Sequence, residues 1–431
     1  MRKLLFALAA LVPLTLHAAD KPKNIIYVIS DGMGPVYTTG YRYFADDKST
    51  PEIEKTVFDR LHVGSASTYP AAVSGVVTDS AAAATALSTG VKSYNGAIGV
   101  DVDKKTVPTI LQMAKQKGMK TGVAVTSQVN HATPAAFITH NESRKNYNEI
   151  AESYFDQRID GKFTADVILG GGTQYFQRED RDLVGEFIGA GYEYLNNIND
   201  LPAIQPGKPL LGLFAPVGLP WALDYPQKKR LLSLTQAAVR NLENDKGFFL
   251  LVEASQVDWA GHANDVAAAM GEMADLADTL EWLEAYVDNN PDTILVVTAD
   301  HSTGGMSLAR ERAYIWKPDF IHKLEHSPAT IAQKLVFKPA GAQREKLAKE
   351  LLPLEFEAEE LEALKKLTAV DQQGAYSWVK SVIDRETHTG WTTGGHTAVD
   401  VPVLAKGLGA EAFVGHQDNT EIAKKLISVL P

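Results

Sequence analysis

The chain predicts an α/β three-layer sandwich with a largely parallel central sheet and a helical insertion near its C-terminal third. Three observations carry this. Short apolar runs rich in β-branched and aromatic residues recur along the chain, and stretches of helical period separate them. Several runs end in an acidic residue, the position from which open α/β sheets bind ligands.

Taken in order, MRKLLFALAALVPLTLHAAD has two cations, an apolar run broken by Pro13, and small residues at Ala18 and Ala19. It reads as a secretory signal over residues 1–19, leaving one α/β domain over 20–431 that is periplasmic or secreted. Neither this run nor any later one is long enough to span a bilayer, so no membrane association is expected after cleavage. NIIYVIS (24–30) is the first buried strand. In VTDSAAAATAL (77–87) Ser80 opens a run of alanines, the strongest helix formers. The structural account makes Ser80 an N-cap; the functional one notes that unpaired N–H groups and the helix dipole favour an anion there. TVPTILQMAKQKG is a helix closed by Gly118. KTGVAVTS (120–127), ADVILGG (165–171), GFFLLVE (247–253) and DTILVVTAD (292–300) are further buried parallel strands. LGGGTQYF lacks the G-x-G-x-x-G spacing and reads as a turn after a strand, not a dinucleotide site. NDVAAAMGEMADLADTLEWLEAYVDN is a long helix. From about Ala309 to Thr389 charged helical segments follow one another without a convincing strand, forming an insertion whose charges read as a solvated face.

Composition narrows the chemistry. At 431 residues and 45% hydrophobic content the chain can bury a large core. Cysteine is absent, so no disulfide contributes and any metal must be held by His, Asp and Glu. The net charge of -11 becomes about -13 once Arg2 and Lys3 leave with the signal, which disfavours nucleic acid as a partner. An anionic substrate would need a local positive centre.

Acid stands where the strands end. NIIYVIS runs into Asp31, GFFLLVE ends in Glu253, and DTILVVTA is followed by Asp300 and His301. Singly, each is an ordinary solvated or capping residue. Three together repel one another unless something positive lies between them. In EASQVDWAGHAND, Asp258 and His262 stand at i and i+4 and share a helix face, a pair that is also common on surface helices. His396 follows two glycines in TTGGHTAVDVP; His131 and Thr133 follow a strand in HATPAAF; Arg144 in HNESRKN has the planar fork that suits phosphate oxygens.

These motifs, DGMG, VTDSAAAATAL, ATPAAF with a downstream SRK, VEAS-VDWAGH, TADHSTGG and TGGHTAVDVPV, resemble those of the alkaline phosphatase family, in family order from about residue 24 to the C-terminus. The resemblance implies a secreted, homodimeric hydrolase of small phosphate monoesters with two Zn2+ and one Mg2+ per subunit. It makes Ser80 the nucleophile, phosphorylated in the reaction. Asp258, His262 and His396 would hold the first zinc, and Asp31, Asp300 and His301 the second. Thr133 and Glu253, with Asp31 bridging, would hold magnesium. Arg144 would clamp phosphate, oriented by Asp79. Mixed His and Asp sets suit zinc and the oxygen-only set suits magnesium. Three divalent ions against four carboxylates leave a local charge of about +2, enough to meet a phosphate dianion on an acidic protein. Phosphodiesterases and sulfatases with the same two-metal core remain alternatives, as does a phosphate- or metal-binding receptor; Arg144, Thr133 and Glu253 favour a substrate with three free oxygens. In one respect the chain departs from the enteric bacterial pattern, with His131 and Trp259 where that pattern has Asp and Lys. The pair is expected to help position the substrate, loosen magnesium and speed phosphate release.

Overall fold

The computed structural model describes residues 21–226 and 229–431. The signal peptide expected over 1–19 lies outside the described residues. The central sheet has ten strands: β1 (Asn24–Ile29), β2 (His62–Ser67), β3 (Lys120–Gln128), β4 (Val167–Gly171), β5 (Glu193–Leu195), β6 (Leu210–Leu213), β7 (Phe248–Glu253), β8 (Thr293–Thr298), β9 (Val401–Gly407) and β10 (Gly415–Asp418). Their order is β10-β2-β9-β8-β1-β7-β3-β4-β6-β5. Every pairing is parallel except the two made by β9. The five strands expected from the sequence are all present, and β1, β4, β7 and β8 are buried along their whole length.

Burial on both faces is what makes those runs continuously apolar. Helices Pro35–Phe44, Arg230–Leu242 and Val266–Asn289 form one layer, and Ser80–Thr89, Ile110–Gln116, Ala132–Ile138 and Asn419–Val429 form the other. Local chemistry sets their ends. Thr109 and Gln112 make a reciprocal capping box before Ile110, and Gly118, at φ +83°, lets the chain turn back into β3. The 24-residue helix from Val266 starts on Asp265, whose side chain accepts from the Ala268 N–H at 2.9 Å. After β4, Gly172 at φ +114° leads into a short helix, Thr173–Phe176, so LGGGTQYF is a strand end followed by a helical turn.

Register places the functional end. Ile29 of β1 lies beside Glu253 of β7 and Thr298 of β8, and Val125 of β3 also pairs with Glu253. The carboxyl ends of four neighbouring strands, β8-β1-β7-β3, are therefore level, and the residues that follow them emerge side by side. Two small antiparallel bridges, Ser302–Thr303 with His396–Thr397 and Ser307–Leu308 with Thr389–Gly390, bring the two ends of the helical segment 309–389 together.

Candidate active site and metal centre

Asp79, not Ser80, caps the Ser80–Thr89 helix: its Oδ1 accepts from Ala82 N–H at 2.9 Å and from Gly96 N–H at 3.0 Å. Ser80 is thereby the first helical residue. It is buried, and its Oγ lies 3.0 Å from His301 Nε2. The other Asp79 oxygen accepts from Arg144 Nη1 at 3.1 Å. Arg144 Nη2 lies 3.2 Å from His131 Nε2, so the guanidinium is held between an acid and an imidazole beside the serine.

Around Ser80 the strand ends deliver Asp31, Asp300 and His301 as one group: His301 Nε2 is 3.4 Å from Asp31 Oδ1 and 3.2 Å from Asp300 Oδ2. The His396 ring stacks on His301 with centroids 3.5 Å apart. His396 Nε2 lies 3.6 Å from Asp258 Oδ1 and 3.1 Å from His262 Nε2, and His262 Nε2 lies 3.4 Å from Asp258 Oδ2. Both histidines have Nδ1 against a backbone carbonyl, Gly394 for His262 at 2.7 Å and Thr78 for His396 at 2.8 Å. That bond leaves Nε2 as the basic nitrogen, the arrangement expected of a metal-binding imidazole. Glu253 and Thr133 lie behind Asp31, both fully buried. Ser255 and Ser127 hydroxyls donate to Glu253 Oε2 at 2.6 and 3.3 Å. His131 completes a third possible donor set with Asp31 and Glu253, and its ring meets Trp259 edge-on at 6.0 Å.

The sequence-selected residues thus converge on one place, with two refinements. His262 stands at the rim, its side chain 42% exposed, while His301 lies deep enough to group with Asp258 and His396 as well as with Asp31 and Asp300. Sequence reasoning passed over Thr303, whose hydroxyl donates to Asp258 Oδ1 and lies 3.2 Å from His301 Nδ1, and Ser127 and Ser255, which hold Glu253. Ser255 and Thr303 each sit two residues after an acid or imidazole already singled out, the one signal that could have found them.

Electrostatics make the donor set incomplete by itself. Both Asp31 carboxylate oxygens, Asp300 Oδ2, Glu253 Oε1, Thr133 Oγ1 and His131 Nδ1 are buried without a hydrogen-bond partner. Orphaned groups of this kind are costly and rare, and the five oxygens among them fit cations held between them. Burial, then the neighbouring Asp300, Asp258 and Glu253, push the Asp31 carboxyl well above the usual range. Burial raises Glu253 to about 7. Burial also opposes the charge on Asp300, but His301 and the Gly32 N–H outweigh it and hold that carboxyl low. Burial lowers His396 to about 4 and, with Arg144 beside it, His131 to about 3, so both imidazoles are neutral at physiological pH.

The alkaline phosphatase family model matches residues 22–431. The chain belongs to the alkaline phosphatase family. Alkaline phosphatase 3 of Bacillus subtilis is 44% identical over 421 residues, covering 95% of this chain and 89% of that protein. The cold-active alkaline phosphatase of a psychrophilic Shewanella sp. superposes with a TM-score of 0.89 at 50% identity, over 95% of this chain and all of that one. The alkaline phosphatase of the Antarctic bacterium TAB5 is 29% identical with a TM-score of 0.71, over 96% and 98% of the two chains. Membership of the alkaline phosphatase family makes the protein a metal-dependent phosphoric monoester hydrolase, and the buried His and Asp clusters are where its metals can be held.

Proposed function

We propose that the protein hydrolyses small phosphate monoesters through a phosphoserine on Ser80, with Asp258, His262 and His396 holding one zinc, Asp31, Asp300 and His301 a second, and Thr133 and Glu253, bridged by Asp31, a magnesium. The observation that carries this reading is the convergence of orphaned carboxylate and hydroxyl atoms around a serine at a helix start. When bound, the metals supply Lewis acidity that favours the serine alkoxide and takes up charge on the leaving oxygen. The chain's own residues do the rest. Ser80 Oγ gives up its proton and bonds phosphorus, the ester P–O bond breaks, and the alcohol leaves. Water then attacks phosphorus, the P–Oγ bond breaks, one proton of the water returns to Ser80 Oγ, and inorganic phosphate leaves. Arg144, fixed by Asp79 and His131, presents a fork to two phosphate oxygens. The first turn of the Ser80 helix offers N–H groups and a favourable dipole.

Support for His131 and Trp259 as a tuning pair comes from their ring contact and from two variants of the TAB5 enzyme, His to Asp and His to Glu, which carry magnesium in the M3 site. We read His131 as the corresponding histidine, one that loosens magnesium. The opening sequence and the family likeness support processing after residue 19, a secreted or periplasmic homodimer, and 309–389 as an insertion in one α/β domain.

The decisive test is Ser80→Ala with labelled substrate. The variant should trap no phosphoprotein and lose several orders of magnitude in rate. Label on another residue would overturn the assignment of the nucleophile. Comparing p-nitrophenyl phosphate with its diester and its sulfate separates the monoesterase from the related hydrolases, and stoichiometric release of phosphate separates it from a binding protein.

A further inference from the structure

We infer that the helix Gln372–Thr387, the last of the segment 309–389, is a brace for the first metal site, with Tyr376, Lys380 and Asp384 as positioning residues; this rests on the assignment of Asp258, His262 and His396 to that site. Those ligands come from stretches with little rigidity of their own. Asp258 and His262 stand on an eight-residue helix that ends at Asn264 in the left-handed conformation, φ 52°. His396 stands in a two-residue bridge preceded by two glycines. A metal site needs its ligands held within a fraction of an ångström, and that support must come from neighbours.

The helix grips both stretches from one face, through residues spaced at i, i+4 and i+8. The Lys380 ammonium donates to the Ala263 carbonyl, next to His262, satisfying one of the free carbonyls at that helix end. The Tyr376 hydroxyl donates at 2.8 Å to Oδ2 of the buried Asp265, whose Oδ1 caps the following helix. Lys380 also sits 4.5 Å above the Tyr376 ring, so the two anchors hold each other. A turn further on, Asp384 accepts from Trp391 Nε1 at 3.2 Å. The Trp391 ring presses on Gly304, where a Cβ would come within 2.8 Å of it and φ is +80°. Gly304 donates to the Gly395 carbonyl at 2.9 Å, directly before His396, and its own carbonyl accepts from Thr392 and Thr393. Asn264 ties the stretches together through the Thr393 carbonyl at 2.8 Å. None of the three positioning residues reaches Ser80 or Arg144; they act through the ligands.

The test is the rate at which full-length, zinc-loaded protein yields zinc to a colorimetric chelator. Tyr376→Phe with Lys380→Met should release one zinc equivalent about tenfold faster, the loss expected when a ligand's supporting shell is removed. Tyr376→Phe alone and Asp384→Asn should release it a few-fold faster, and Lys380→Arg, which keeps a donor, should stay near the parent rate. Arg344→Met is the control. Its buried guanidinium binds the Lys338 and Leu367 carbonyls in the same segment, so the variant should melt earlier with zinc release unchanged. Equal release from Arg344→Met and the brace variants, or unchanged release from the latter, would overturn the brace. His396→Ala should lack one zinc equivalent from the start. If it keeps all its metal, the ligand assignment fails and takes the brace with it; if it loses one while the brace variants hold theirs, the brace alone fails.

Discussion

Two groups of buried carboxylates lie in this molecule, one on a helix and one at the strand ends. Glu272 and Asp275, on the helix Val266–Asn289, surround the fully buried Arg230. Glu272 accepts from the guanidinium and from Ala222 N–H, and Asp275 from the guanidinium and from Leu231 N–H, so every oxygen is used. Arg230 also donates to the Pro220 carbonyl and to Gln256 Oε1. Asp31, Asp300 and Glu253, at the strand ends, have four oxygens with no partner among the described residues. Burial raises Glu253 and Glu272 alike, each to about 7, so proton affinity alone does not tell the groups apart. What does is satisfaction. One cluster closes on itself and holds two helices together; the other is left open for cations.

Exchanging the chemistry of the clusters should break the contrast most sharply at Asp31. Asp31→Asn removes a charge that the proposed metals would need and that burial opposes in the metal-free fold. Activity should fall by about a thousandfold or more, as expected for losing transition-state electrostatics, while the metal-free protein melts no earlier than its parent at pH 8. Thermal melting in chelator with parallel rate assays checks both halves; a large loss of metal-free stability would show that the carboxylate is already paired in the fold. Arg230→Met should do the reverse. It leaves two buried carboxylates without a cation, a loss of about 3–5 kcal/mol by denaturant unfolding, and folded, metal-loaded enzyme should keep its turnover to within a few-fold.

A smaller effect sharpens the same comparison through pH. The folded-state pKa of Glu272 is raised from the ordinary carboxyl value to about 7, so the folded chain holds a proton there that the unfolded chain has released. Its contribution to stability is greatest below about pH 4.5 and is lost as pH rises through about 7, a change on the order of 3 kcal/mol. Glu272→Gln should flatten the stability profile of the metal-loaded protein in that window, read from unfolding midpoints at several pH values; an unchanged slope would assign the titration elsewhere. The mildest change exchanges ring packing for a charge pair beside the open cluster. His131→Asp with Trp259→Lys should tighten magnesium and phosphate binding by a few-fold to tenfold and lower kcat where product release limits turnover. Magnesium titration and the phosphate inhibition constant measure it, and unchanged values would reduce the pair to packing.

How far the fold was legible follows from what each strand touches. β1, β3, β4, β7 and β8 were readable because burial on both faces demands unbroken apolar runs. β2, with the sequence HVGSAS, and β10, GHQD, are polar or small, and β5 has three residues, so none carries a period that sequence can reveal. β9 is apolar, but its antiparallel direction follows from where the chain re-enters the sheet after the helical segment. The cap shows the same limit at smaller scale: both Asp79 and Ser80 are good N-cap residues, and only the Ala82 and Gly96 N–H groups converging on Asp79 decide between them. Tyr376, Lys380 and Asp384 looked like part of a solvated helix because periodicity reports amphipathicity and not the neighbour a polar face meets.

By itself the sequence determined which groups could do chemistry and at which strand ends they stand, because residue type and local period act over a few positions. Tertiary structure decided which of them meet. Ser80 and His301 are separated by 221 positions and lie 3.0 Å apart, and His262 and His396 by 134 positions at 3.1 Å. Parallel register across β8-β1-β7-β3 brings most of these residues to one level, and burial there strips the water that would otherwise satisfy them. A carboxylate in solution carries its own partners; the same carboxylate at a closed sheet end must be given one, and that difference in solvation turns a list of ordinary acids and histidines into a metal centre.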